Sequence, residues 1–264
     1  ATYLPSIRNN PSSKAVFSYK PLSSQLLSTR LATGKTTCIT LPNFRFLSGC
    51  SWCEVPGGHV YFTGGLISDA FRIDTLRDYA VDKLPKMMTM RRFHGTTHFE
   101  GWVYVIAGYK NSVIRECERY SASERRWEQV SSLPAPAMCM SVVVLETSRK
   151  LYSLGGINIS DYLNSILILN LDTLEWDDAQ IKLPQADMHI ASFKVTESQF
   201  YFVLKANVYC FDAATQSISQ VKSLDINVTC YNGTPQYSDN YLYCPVKDLP
   251  ASRTFIGSLQ LEQD

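Results

Sequence analysis

The chain has no dominant charge: among its 264 residues, 25 Lys and Arg stand against 24 Asp and Glu, a formal net charge of +1. Nucleic-acid affinity comes mainly from clustered cations that displace counterions from phosphate, so a nucleic-acid partner is not expected. Long apolar runs are missing too. The longest, Ser141–Leu145 and Ile166–Leu169, have strand length and fall far short of the roughly 20 residues a membrane helix needs, so no membrane partner is expected. The first residues, Ala1 to Arg8, carry no basic-then-apolar leader pattern and no initiator Met, as expected of a piece of a longer chain or a processed one.

Chemistry-bearing motifs are also scarce. The four histidines are His59, His94, His98 and His189. On a strand, His94 and His98 would lie about 13 Å apart, too far to share a metal ion. Cys50-Ser-Trp-Cys53 is a C-x-x-C with no second ligand pair, and a strand would turn its two thiols to opposite faces. Gly34-Lys35-Thr36 is only the tail of a phosphate loop, because Thr29 stands where the first glycine belongs. No G-x-S-x-G elbow is present, and Asp74, Asp172 and Asp212 read as turn formers. The expectation is therefore a protein without catalytic residues, metal or cofactor. Most of the eight cysteines sit in apolar or alternating segments, where free thiols behave as small hydrophobes. That usage points to a reducing compartment and a cytoplasmic location.

What the chain does contain is apolar bulk and a repeat. Hydrophobic residues make up 45% and aromatic residues 12%, enough for the core of one domain spanning residues 1–264. A tyrosine inside a short apolar strand recurs at Tyr3, Tyr61, Tyr104, Tyr152, Tyr201 and Tyr243, at intervals of 42 to 58 residues. Behind three of them follow Gly64-Gly65, Ala107-Gly108 and Gly155-Gly156. Leu-Pro pairs recur in step at Leu41-Pro42, Leu84-Pro85, Leu133-Pro134 and Leu183-Pro184. A third marker, two apolar residues flanking a polar turn, reads Tyr120 to Trp127, Phe211 to Ile218 and Tyr19 to Leu26. No long stretch shows a 3.6-residue period. About four strands in units of some 43 to 50 residues is the pattern of a β-propeller blade.

These residues resemble the Kelch family, most closely from Arg91 to Pro134, with Tyr104, Ala107-Gly108, Tyr120, Trp127 and Leu133-Pro134. The next unit follows with Tyr152, Gly155-Gly156, Leu171, Trp176 and Leu183-Pro184. The fold this implies is all-β, a six-bladed Kelch-type propeller. A five-bladed ring with one composite blade is the runner-up, because the first unit begins at its second strand and the last stops at its third. A double glycine fits the tight approach of strands near the central channel, where a Cβ would crowd.

By the same resemblance, function is expected in a protein–protein interaction platform rather than an enzyme, whether a ubiquitin-ligase substrate adaptor or a cytoskeletal scaffold. The alternative is a carbohydrate-active or oxidase-like propeller. Kelch domains bind through loops joining the second to the third strand and loops joining blades. The first class gives 66–69, 109–115, 158–164 and 247–253; the second gives 43–45, 86–92 and 185–189. Within them the candidate partner-binding residues are Arg45, Arg91, Arg92, Tyr109, Asn158, Tyr162, Asp187 and His189. Arg and Tyr are enriched at interface hot spots, and arginines at a channel mouth suit an acidic protein or peptide.

Overall fold

The computed structural model describes residues 15–230, 235–238, 241–246 and 249–255. Six antiparallel sheets follow one another along the chain. The first holds β1 (Ala15–Tyr19), β2 (Gln25–Arg30) and β3 (Thr36–Thr40). The second holds β4 (Cys50–Val55), β5 (His59–Gly64), β6 (Ala70–Asp74) and β7 (Ala80–Lys83). The third holds β8 (Gly95–Phe99), β9 (Trp102–Tyr109), β10 (Val113–Ser121) and β11 (Arg126–Val130). The fourth holds β12 (Ser141–Leu145), β13 (Lys150–Leu154), β14 (Ser165–Asn170) and β15 (Trp176–Lys182). The fifth holds β16 (Ala191–Lys194), β17 (Gln199–Asp212) and β18 (Ser217–Val228). The sixth holds β19 (Gln236–Ser238), β20 (Tyr241–Val246) and β21 (Leu249–Phe255).

The long β17 is folded back on itself. The Phe200 and Phe211 rings stack at 4.8 Å and those of Phe202 and Tyr209 at 5.3 Å, whereas eleven residues of straight strand would span about 36 Å. Gln199 Nε2 donates to Asp212 Oδ2 at 2.8 Å, and Lys205 takes a left-handed φ of 55°. The chain therefore turns at Lys205-Ala206, and the fifth sheet has four strands like its neighbours.

Each second strand is buried on both faces, which is why it reads as an unbroken apolar run rather than an alternating one. Its tyrosine always faces the following sheet. Tyr61 packs with Val103 and Val105, Tyr104 with Leu151 and Leu169, and Tyr152 with Phe200 and Phe211. Tyr201 packs with Leu242, and Tyr243 closes the circle on Val16 and Leu31 of the first sheet. The Tyr243 hydroxyl donates to the Leu31 carbonyl at 2.7 Å. The tryptophans that open fourth strands reach the other way: Trp127 Nε1 donates to Pro85 O and Trp176 Nε1 to Ser131 O, both at 2.8 Å.

The fold is thus an all-β propeller, but six equal blades do not form. Four blades are complete. Among the described residues, the first sheet leads into Leu41-Pro42 with only three strands and lacks an innermost one, and the sixth sheet lacks an outermost one. These two sheets pack on each other, β1 against β20 and β21, and close the ring as one composite unit. The blade number is then five, the runner-up expectation. Tyr3 lies outside the described residues. The Leu-Pro register also corrects the Tyr19–Leu26 turn, which joins second and third strands rather than third and fourth: Leu22 N donates to Phe46 O, and Phe46 N to Ser23 O, across the exit to the next blade.

The two thiols of the C-x-x-C part company as a strand requires. Cys50 enters the core between the first and second sheets and Cys53 the core between the second and third. Burial pushes the Cys50 thiol up to about 12 and Cys53 higher still. Cys38 is exposed and the other seven cysteines are buried. Among the described residues, no helix is long and apolar enough to cross a membrane.

Candidate functional site

The connections between blades meet around the channel mouth in a belt of backbone hydrogen bonds. Phe93 N donates to Gly49 O at 3.0 Å, Cys139 N to Phe93 O at 2.8 Å, His189 N to Cys139 O at 3.2 Å, and Cys230 N to His189 O at 2.9 Å. To point both its N–H and its C=O along the belt, the chain turns left-handed at Gly49, Phe93, Cys139 and His189, with φ of 79°, 56°, 56° and 59°. Such a conformation is costly for a residue with a Cβ. A second set of bonds ties the double glycines to these connections. Gly65 N donates to Arg91 O, Gly108 N to Ala137 O and Gly156 N to Asp187 O, at 2.8 to 2.9 Å. The approach is close: a Cβ on Gly156 would lie 2.7 Å from Met138 O and one on Gly108 2.8 Å from Arg92 O.

This frame sorts the candidate residues. Arg91 is fully buried and is corrected from partner-facing to structural. Its guanidinium donates to Glu118 Oε1 at 2.7 Å, to Ala107 O at 2.8 Å and to Glu116 O at 2.6 Å. Glu118 is completed by the amides of Met88 and Thr89. Its neighbour Arg92 sits half-buried between aromatic rings, 4.9 Å from the Phe93 centroid and 5.0 Å from that of Tyr109. Arg92 and Tyr109 also exchange backbone hydrogen bonds at 2.9 and 2.8 Å. Arg92 Nε is buried with no hydrogen-bond partner, and no described carboxylate pairs with the guanidinium.

Arg45 is exposed, with its Nε bound to Leu22 O at 3.0 Å. Asn158 builds its own turn, its Oδ1 accepting from the amides of Ser160 and Asp161. Tyr162 is 53% exposed on the same loop, and Ile159 beside it is 82% exposed. Asp187 Oδ1 accepts from Met188 N at 2.8 Å, and its backbone pairs with Gly156 and Leu163 of that loop. His189 lines two cavities, one on the channel with His94 and Cys139 and one beside Lys205 and Val228. Arg92 thus pairs directly with Tyr109, Asp187 pairs with the loop that carries Tyr162, His189 is itself a belt residue, and Arg45 lies on the connection that leads to Gly49. The expected loop 247–253 is corrected: 249–253 belong to β21, and 247 and 248 lie outside the described residues.

The channel wall holds an unusual histidine. His94 is buried, and its Nε2 lies 2.8 Å from Thr63 Oγ1. Thr63 Oγ1 also lies 3.3 Å from Ser51 O, and His94 Nδ1 is buried with no described hydrogen-bond partner. Burial, assisted by the charge of Arg91, holds His94 well below the usual histidine range. Burial lowers His98 and His189 as well, against the opposing pull of Glu146 and Asp187. Among the described residues, no group of three or more His, Cys, Asp or Glu could hold a metal ion.

Two features of the site carried no sequence signal: the belt positions, whose residues differ from blade to blade, and the two-residue turn at Lys205. Only the glycine pairs hinted at the close approach behind them.

With this geometry in view, comparison with known proteins adds two findings. Residues 90–134 match the Kelch motif. Together with the propeller this is consistent with a Kelch-repeat propeller, the class to which fold and motif point. A search of curated proteins finds no match.

Two measurements follow from the buried groups. Arg91→Ala, which strands the Glu118 carboxylate, should cost about 3–5 kcal/mol in urea unfolding, while Arg92→Ala should cost about 1 kcal/mol or less. Equal small losses would show that Arg91 is not the structural arginine. Second, a histidine held below its unfolded value near 6.5 contributes stability above that pH, and the contribution is lost as pH falls towards the folded value. The free energy of urea unfolding should therefore drop between pH 7.5 and 5 by up to ~1.4 kcal/mol per pH unit for each such histidine, and less in His94→Gln.

Proposed function

We propose that this protein is a protein-interaction platform that reads a partner protein or peptide with the loops around its channel mouth. Arg92 is the observation that carries this reading. A guanidinium clamped between two aromatic rings has already lost much of its rotamer freedom, and with no carboxylate of its own it is ready for one from a partner, where a bidentate pair adds both energy and direction. Tyr109, exposed Tyr162 and exposed Ile159 extend the same face with the residue types that interface centres use. An acidic segment is the partner that this charge favours. A ubiquitin-ligase substrate adaptor and a cytoskeletal scaffold are the two settings in which such a platform would work, and the captured partner separates them.

The test is affinity capture from lysate with wild type and Arg92→Ala, leaving Arg91 intact so that the variant stays folded. A partner retained by wild type and lost, or weakened at least about tenfold, by Arg92→Ala supports the reading, since hot-spot truncations cost about 2 kcal/mol or more. Equal retention by both proteins would move the binding face elsewhere. If neither captures a protein, the carbohydrate-active or oxidase-like alternative gains.

A further inference from the structure

The fifth sheet differs from its neighbours in a way that opens a cavity. In the fourth sheet the loop between second and third strands runs from Leu154 to Ser165 and packs back on the blade connection, with Leu163 bonded to Asp187. In the fifth sheet the equivalent turn is only Lys205-Ala206, so no loop covers the corresponding ground. β18 meanwhile runs on to pair Val228 with Lys205, bulging twice on the way. Between these parts lies an open cavity of about 300 Å³, beside the channel and separated from it by His189. Its apolar lining is Ile190, Val203, Leu204 and Val228, all buried.

Two opposite charges stand at the cavity, Asp187 and Lys205. Lys205 is exposed and has no ion pair among the described residues. Asp187 uses one carboxylate oxygen for the Met188 amide and leaves the other open. The volume sits at the low end for ligand sites, enough for one bulky side chain and part of its backbone but not for a folded element. An apolar floor selects an apolar side chain. An unpaired ammonium beside it selects a neighbouring carboxylate, and the open Asp187 oxygen can accept a backbone N–H.

Resting on the protein-binding reading above, we propose that this cavity is the anchor pocket of the interface: it seats a leucine- or phenylalanine-sized side chain of an extended partner segment, with an acidic residue next to it on Lys205. Arg92 and this pocket then grip the same segment from two points on the belt. The pocket supplies selectivity for shape, and Lys205 supplies the order of residues.

The test uses three capped dipeptides, phenylalanyl-glutamate, phenylalanyl-lysine and glycyl-glutamate, titrated against the methyl resonances of Ile190, Val203, Leu204 and Val228. Phenylalanyl-glutamate should shift these methyls saturably, phenylalanyl-lysine should bind about two- to fivefold more weakly, as an exposed ion pair allows, and glycyl-glutamate should not shift them. Thr229→Trp, at an exposed position on the rim, should abolish the shifts without changing the melting curve. Lys205→Asn, which keeps a residue tolerant of the left-handed turn, should keep the shifts and erase the preference for glutamate over lysine. Absence of shifts with phenylalanyl-glutamate in the folded wild type, equal shifts with glycyl-glutamate, or shifts untouched by Thr229→Trp would each overturn the pocket. Arg92-dependent capture persisting beside such a result would leave the binding face standing and remove only the anchor.

Discussion

Four backbone hydrogen bonds around the channel mouth hold the rest of this molecule in place. Sheets that pack only through side chains can slide on one another, because dispersion and hydrophobic contacts have little direction. The chain from Gly49 through Phe93, Cys139 and His189 to Cys230 has direction, and it links the entry points of five successive sheets. Its geometry demands left-handed residues, and three of the four belt positions with positive φ are not glycine. Each of those three carries strain of order 1–3 kcal/mol, offset by the belt bonds and by the cores on either side.

The proposed binding face follows from this constraint. Because the blade connections are pinned to the belt and to the glycine pairs, what remains variable is the side chain that each connection sends outward or inward. At adjacent positions Arg91 and Arg92 go opposite ways, one into a buried ion pair with Glu118 and the other into an aromatic clamp at the mouth. At Asp187, which holds the place of Arg91 one blade pair further on, the carboxylate is half-buried beside a cavity. Scaffold and site are thus the same backbone with different side chains, which is how a repeated fold can carry a single binding surface.

Much of this was legible from residues alone. The marker tyrosines were found because each must be large, apolar and able to reach into the next sheet, and the glycine pairs because a Cβ would collide with a carbonyl of the blade connection. Trp127 and Trp176 were legible for the bond that each makes to the preceding exit. The outward and inward sense of Arg91 and Arg92 was not legible, since it depends on the left-handed turn at Phe93, which nothing about a phenylalanine announces. Lys205 was hidden in the same way, standing where Gly65, Gly108 and Gly156 stand in other blades and keeping their positive φ without their side-chain signature. The blade number failed for a different reason: counting tyrosines counts second strands, and a ring closed by two incomplete sheets has more second strands than complete blades.

Native-state hydrogen exchange at the amides of Phe93, Cys139, His189 and Cys230 tests the belt most directly. If the belt organises the ring, these loop amides exchange as slowly as those in the centres of β9 and β13, with the same opening free energy as the core strands. Exchange at rates typical of surface loops, with β9 and β13 still protected, would mean that side-chain packing alone holds the blades and that the binding face is not fixed by the backbone.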